Sequence, residues 1–260
     1  MILEVIDGAY SYDNKSFLYD NVNLKVSSGE VLSILGTNGS GKTTLLKCIM
    51  NLLHFRKGKA TIDGVDIKHI KNVFKTISYV PQAKGVNSAL TAVDMVVLGI
   101  SPNIGLFKEP KEEDKELALQ IMDDLDVLYL KDKRCDEISG GELQMLLIAR
   151  AIISNPEVLI LDEPESNLDF KNQLTILSKI KELVEKKNII CIINTHYPDH
   201  AYKISDKILL VNKKTKSTVF GKTEDIITKE NLHNIFDVNV LVKEIEEEGH
   251  QFKIILPFLD

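Results

Sequence analysis

The chain has 260 residues, 44% hydrophobic and 27% charged, with a formal net charge of −6 at pH 7; that length and apolar content can bury a substantial core in one α/β domain carrying an insert. No apolar run approaches the roughly 18 consecutive residues that mark a membrane span, and an acidic chain without a basic stripe interleaved with aromatics argues against a nucleic-acid partner. The three cysteines, Cys48, Cys135 and Cys191, are odd in number and far apart, which argues against a disulfide framework or a C-x-x-C motif and fits reduced, buried thiols.

The N-terminal MILEVIDGAYSYD has neither the basic start nor the apolar core of a signal peptide, so the chain is not expected to be exported. Residues 1–26 predict two strands around the turn DNKS. Tyr12, just before that turn, is either a strand residue facing the core or an aromatic ring on which a base stacks; Tyr10 is the alternative one strand alternation away. VLSIL, residues 31–35, is a continuous apolar run and predicts a buried strand, and TLLKCIM from Thr44 has the composition of a helix. Between them lies GTNGSGKTT, which fits the G-x-x-x-x-G-K-[ST] phosphate loop. In such a loop backbone N–H groups surround the phosphates, Lys42 reaches the β and γ oxygens, and Thr43 offers a hydroxyl to Mg²⁺. Strand, glycine loop and helix come in the order that aims a helix N-terminus at an anion.

GKATIDGVDI, residues 58–67, predicts a hairpin around Asp-Gly. TISYVPQ reads as a strand that ends near Gln82. Over residues 88–136, TAVDMVVLGI, a proline- and glycine-punctuated loop SPNIGLFKEP, and KEEDKELALQIMDDLDV predict an inserted helical subdomain. ISGGELQMLLIARAII predicts a helix with Ser139 as N-cap and Glu142 as capping-box partner, and its glycine-preceded N-terminus is also a good anion site. VLILDEP is a buried strand that delivers Asp162 and Glu163 to its C-terminal end, where open α/β sheets bind ligands. NIICIINT is a further strand, followed by His196, and beyond Gly221 the chain predicts two short helical stretches and a final hairpin with EIEEEGH as its solvated turn.

Together the phosphate loop, Gln82, SGGE ahead of a helix, a strand ending in Asp-Glu, SNLD at Ser166 to Asp169, and His196 form an ordered series. The series resembles the nucleotide-binding subunit of ATP-binding cassette (ABC) transporters over roughly residues 1–220. The resemblance implies an α/β fold: a P-loop NTPase core of ABC type with an antiparallel β subdomain and an inserted helical subdomain. Its parts would be residues 1–87 and 137–222 as core with the β subdomain, 88–136 as helical subdomain, and 223–260 as a C-terminal extension. The cofactors implied are ATP and Mg²⁺. Gly36, Thr37, Asn38, Gly39, Ser40, Gly41, Lys42, Thr43 and Thr44 would bind ATP, with Tyr12 stacked on the adenine. Thr43, Gln82 and Asp162 would attend the metal; Glu163 would act as general base, His196 as the contact to the γ-phosphate, and Gln82 as the link to the helical subdomain.

Ser139, Gly140 and Gly141 would meet the ATP held by a second copy, and Asp169 would communicate across that pair. The signature departs from the commonest form at Ile138, where leucine is usual, and at Glu142, where glutamine is usual. The partners implied are a second identical chain in the ATP-bound state, membrane-spanning permease subunits and, indirectly, an extracytoplasmic substrate-binding protein, with no nucleic acid. The chain would then sit peripherally on the cytoplasmic face of the membrane. The stretches DMVVLGISPNIGLF, LDFKNQ and HYPDHA resemble importers of iron siderophores, haem, cobalamin, molybdate or tungstate. The rivals are a soluble ABC ATPase of DNA repair or translation, against which the absence of a long heptad insert and a second cassette argues, and a nucleotide-gated module with little turnover.

Overall fold

The computed structural model describes the chain apart from residues 14, 83–88, 102–109, 248–249 and 259–260. Asn14 of the expected DNKS turn, most of the SPNIGLFKEP loop and the tip of the EIEEEGH turn lie outside the described residues. In chain order the elements are β1 (Ile2–Tyr10), β2 (Tyr19–Ser27), β3 (Val31–Leu35), α1 (Lys42–Ile49), β4 (Lys57–Ile62), β5 (Val65–Asp66), β6 (Ile77–Val80), α2 (Ala92–Val97), α3 (Glu112–Asp124), α4 (Gly140–Ile152) and β7 (Val158–Asp162). They continue as α5 (Phe170–Lys187), β8 (Ile190–Thr195), α6 (Pro198–Ile204), β9 (Lys207–Val211), β10 (Thr218–Lys222), α7 (Thr223–Ile226), α8 (Lys229–Phe236), β11 (Asn239–Glu247) and β12 (His250–Phe258). Two units result, Met1–Lys71 with Ile192–Asp260, and Asn72–Cys191.

The first unit holds an antiparallel sheet in the order β2-β1-β4-β5 and a second array in the order β10-β9-β3-β8. All five residues of β3 are buried, as expected of a strand covered on both faces, and it runs parallel to β9 from Leu32↔Lys207 to Leu35↔Leu210. The chain after Gly221 forms the two short helices and the hairpin that its pattern predicts, but most of EIEEEGH is strand and not turn: Glu244 to Glu247 belong to β11 and pair with His250 to Lys253 of β12, because alternation along the strand lets the Glu244 and Glu246 carboxylates face solvent without ending the pairing. One face of this extension is core: Ile226, Ile227, Leu232, Ile235 and Val240 share a cluster with Leu35, Ala201, Ile208 and Leu210. Leu35 is the last residue of β3, so the extension helps to fix the strand that delivers the phosphate loop.

In the second unit β6 and β7 pair in parallel, Ile77↔Val158 to Val80↔Leu161, and α2, α3 and α4 pack on one another. The apolar sequence of α4 buries most of its length. Its N-terminus is a reciprocal capping box, in which Glu142 accepts from the Ser139 N–H at 2.8 Å and the Glu142 N–H faces Ser139 Oγ at 3.4 Å. The three cysteines are free and buried; burial pushes the Cys48 thiol up to about 11 and the Cys191 thiol up as well, which leaves them protonated and unreactive at neutral pH.

Gly99, directly after α2, has no room for a side chain. A Cβ there would overlap the carbonyl oxygen of Arg150 and lie 2.7 Å from Ile153 Cγ2. Gly99→Ala is therefore expected to cost about 1–3 kcal/mol through overpacking, read as a drop of several degrees in the thermal midpoint by circular dichroism. An unchanged midpoint would show that this contact yields freely.

Candidate functional site

The loop from Gly36 to Gly41 runs from the end of β3 into α1. That helix begins at Lys42 with Gly41 as its N-cap, at φ 101, and no side chain caps it. Gly41 itself offers no side-chain acceptor to the amide donors of the first turn, and these donors lie at the positive end of the helix dipole. Glycine is required at 41 on two counts: the left-handed φ, and the 2.8 Å that would separate a Cβ from Leu18 Cγ and Cδ2. Lys42 is buried and folds back on its own loop, donating from Nζ to the Gly36 carbonyl at 2.6 Å and the Thr37 carbonyl at 3.4 Å. Ser40 Oγ is buried without a hydrogen-bond partner among the described residues. Asn38 and Gly39 form the exposed apex and Thr43 is exposed on the first turn of α1. Lys213, between β9 and β10, donates from Nζ to the Asn38 carbonyl at 3.2 Å and adds a second cation to the loop. A helix N-terminus without a side-chain cap, a lysine and an unsatisfied hydroxyl together fit a phosphate chain.

Tyr12 and Tyr10 divide the two alternatives between them. Tyr12 is 65% exposed and Tyr10 6%, with their rings edge to face at 5.0 Å. Tyr12 Oη lies 2.8 Å from Thr44 Oγ1 on α1, which anchors the ring while leaving its face open. Burial raises the Tyr10 phenol above its ordinary pKa. His196 follows β8 half-buried, with its ring 5.9 Å from that of Tyr197; Thr195 Oγ1 accepts from the Tyr197 N–H at 3.1 Å and shapes this turn.

The second unit carries the acids. Asp162 is the last residue of β7 and is buried; its Oδ2 accepts from Tyr79 Oη on β6 at 3.0 Å. Burial and the neighbouring Asp162 raise the Tyr79 phenol well above its usual range, so it acts as a donor throughout. Glu163 takes a left-handed φ of 53, an unusual conformation for a non-glycine residue and one that concentrates at functional sites. Glu163 Oε2 accepts from Gln82 Nε2 at 3.0 Å, and the same amide reaches Ser166 Oγ at 3.2 Å. Gln82 and Glu163 are thus brought together, whereas Asp162 is held by Tyr79. Gly140 is exposed at the start of α4 and Gly141 is buried, where a Cβ would lie 3.3 Å from the Asn172 amide. Asp169 caps α5, accepting from the Asn172 N–H at 2.8 Å and Asn172 Nδ2 at 2.9 Å. The motif residue Asp169 and the signature glycine Gly141 therefore share Asn172 as a neighbour.

Among the described residues no group of three or more His, Cys, Asp or Glu side chains is placed to hold a metal by itself. The Thr43 hydroxyl in the first unit and, separately, the Asp162 carboxylate in the second are hard oxygen donors of the kind that Mg²⁺ takes. Tyr79 and Lys213 are given no role by sequence, because each acts through a partner far along the chain: Tyr79 and Asp162 are 83 residues apart and Lys213 and Asn38 are 175 apart.

Residues 19–166 match the ABC transporter family. The molybdate import ATP-binding protein MolC of Haemophilus influenzae is 32% identical over 255 residues, 98% of this chain and 96% of that one. An iron chelatin transport ATP-binding protein of Helicobacter pylori is 33% identical over 259 residues, covering 98% and 99% of the two chains. A solved structure described as an inward-facing metal-chelate type ABC transporter superposes with a TM-score of 0.89 at 32% identity, covering 99% of this chain and 97% of that one.

The exposure of Tyr12 and the burial of Tyr10 give opposite expectations. Tyr12→Ala should lower ATP affinity by roughly tenfold, within the ~1–3 kcal/mol that base stacking contributes, and leave the melting temperature nearly unchanged. Tyr10→Ala should chiefly lower the melting temperature. Isothermal titration with ATP beside thermal melts separates the two, and unchanged affinity in Tyr12→Ala would remove Tyr12 from the site.

Proposed function

The chain belongs to the ABC transporter family and is an ABC-type ATPase, and on that footing we propose that it is the ATP-hydrolysing subunit of a membrane importer for a metal chelate or an oxyanion. The observation that carries this reading is near end-to-end likeness to chains named for molybdate import and iron chelatin transport, C-terminal extension included. No helix among the described residues is long and apolar enough to cross a membrane, so the cargo path belongs to permease subunits. This chain docks on them at the cytoplasmic face, and an extracytoplasmic binding protein acts on the permease from the other side.

In this mechanism the backbone N–H groups at the start of α1 and the Lys42 ammonium hold the β and γ phosphates, and Tyr12 stacks on the adenine. Lys42 exchanges its contacts with the Gly36 and Thr37 carbonyls for phosphate oxygens. Gly36 to Ser40 wrap the phosphate chain and Thr44 tethers Tyr12. Thr43 and Asp162, with Gln82 nearby in role, are the residues that would hold Mg²⁺, which neutralises phosphate charge when bound. Glu163 takes a proton from the attacking water, and Gln82 keeps its carboxylate oriented. His196 contacts the γ-phosphate and positions that water. Phosphoryl transfer depends mainly on positioning and charge stabilisation, which accounts for so many oriented donors and so few reactive groups. Two copies pair with two-fold symmetry. Ser139, Gly140 and Gly141 of each meet the ATP of the other, and Asp169 carries the state of one site to its neighbour.

Glu163→Gln should reduce ATP turnover by about 10²–10⁴-fold with ATP binding retained, whereas Lys42→Ala should lose binding itself; phosphate release and equilibrium binding measure the two. Turnover unaffected by Glu163→Gln would remove it as the base. The cargo class is tested in proteoliposomes holding the chain with its permease and ATP inside, by uptake of labelled molybdate and of an iron(III) chelate. Active ATP hydrolysis with uptake of neither would contradict the cargo assignment.

A further inference from the structure

Glu142 places a negative charge in the segment that is to meet a phosphate, and its hydrogen bonds give that charge a role. Glu142 Oε2 accepts twice from Ser139, from the backbone N–H at 2.8 Å and from the hydroxyl at 2.6 Å. Glu142 Oε1 accepts from the Tyr129 hydroxyl at 2.8 Å. Tyr129 sits on a single helical turn, Leu128–Leu130, between α3 and α4, with its ring largely exposed and Lys133 Nζ 5.9 Å from the ring centre. A capping box explains the contact from the Ser139 N–H; it calls neither for the hydroxyl bond to the carboxylate nor for Tyr129.

A serine hydroxyl carries one proton, and here it is given to Glu142. The contacts from Ser139, and then Tyr129 and Lys133, hold the Glu142 carboxyl below the usual carboxylate range. It is therefore ionised at neutral pH, and a charged acceptor binds a hydroxyl more strongly than a neutral one. In this arrangement the Ser139 side chain has no proton to offer a phosphate until its O–H turns away from Glu142.

We infer that Tyr129 and Glu142 form a restraint on the signature serine: Tyr129 fixes the carboxylate, the carboxylate retains the Ser139 proton, and ATP-driven pairing of two copies must draw that proton over to the γ-phosphate. The inference rests on the proposed contact of Ser139 with the ATP of the opposite copy. Tyr129 and Glu142 are positioning residues that act through Ser139. Because Tyr129 lies on the segment joining α3 to α4, a shift of that segment would slacken the restraint and make the serine easier to recruit.

The test uses the full chain carrying Glu163→Gln, with the ATP·Mg²⁺ concentration for half-maximal pairing read by light scattering and ADP as control. Glu142→Gln keeps the length of the capping side chain but offers a neutral acceptor; Tyr129→Phe removes the pin. Each should lower the ATP requirement, by about three- to tenfold for Glu142→Gln and less for Tyr129→Phe, the scale of exchanging a charged acceptor for a neutral one. Both effects should disappear when Ser139→Ala is added, as coupling through a shared partner requires. Where Ser139→Ala already abolishes pairing, Glu142→Gln should not restore it.

An equal benefit from Glu142→Gln with Ser139→Ala present, or restored pairing, would mean that the carboxylate acts by charge alone and would overturn the restraint. So would an ATP requirement that is unchanged or raised by Glu142→Gln or Tyr129→Phe. If Ser139→Ala by itself leaves pairing intact, the assignment of Ser139 to phosphate fails instead, which separates the two failures.

Discussion

The amide donors at the start of an α-helix need acceptors that the helix itself cannot supply, and at α1 the N-cap residue has none to give. The absence of a cap is built in: the N-cap is Gly41, which has no side chain to offer, at a φ of 101 that other residues rarely adopt. The positive end of the helix dipole then points into the loop, the setting that suits an anion. Around this constraint the loop is already shaped. Lys42 holds it closed through the Gly36 and Thr37 carbonyls, and Lys213 steadies the apex at Asn38. Donors ordered before a ligand arrives do not have to be ordered when it binds. The strand behind the loop is fixed by packing, because Leu35 shares its core with residues of the C-terminal extension.

The acids obey a complementary constraint, since carboxylates at a buried strand end must be oriented by donors. Asp162 receives Tyr79 and Glu163 receives Gln82. The left-handed backbone at Glu163 costs on the order of 1–3 kcal/mol, a strain that the buried strand β7 can sustain because all five of its residues are in the core. The same logic recurs at Glu142, where Ser139 and Tyr129 supply the donors. Each of these acids is held by a named neighbour, so the local fold positions its charge.

Most of the architecture was legible because local patterns and tertiary demands agree. VLSIL and VLILD are continuous apolar runs and form fully buried strands; Ser139 and Glu142 predict a capping box and form one. The phosphate loop is legible because its chemistry is confined to one short segment. The donors that orient the acids are less so, since they arise from contacts between separate segments: Tyr79 with Asp162 and Tyr129 with Glu142. Exposure, which separates Tyr12 from Tyr10, also depends on the whole fold, because both lie in one alternating strand pattern. The C-terminal extension reads as two helices and a hairpin in sequence, but its place in the core behind β3 follows only from how its apolar face packs.

The proposed function requires ATP to join two copies of this chain, each closing on the nucleotide held by the other. Sedimentation velocity of the Glu163→Gln chain with ATP and Mg²⁺, and separately with ADP and Mg²⁺, measures it directly. The account predicts that the mass doubles with ATP and stays that of one chain with ADP. A chain that binds ATP and remains a monomer at saturating nucleotide would contradict it.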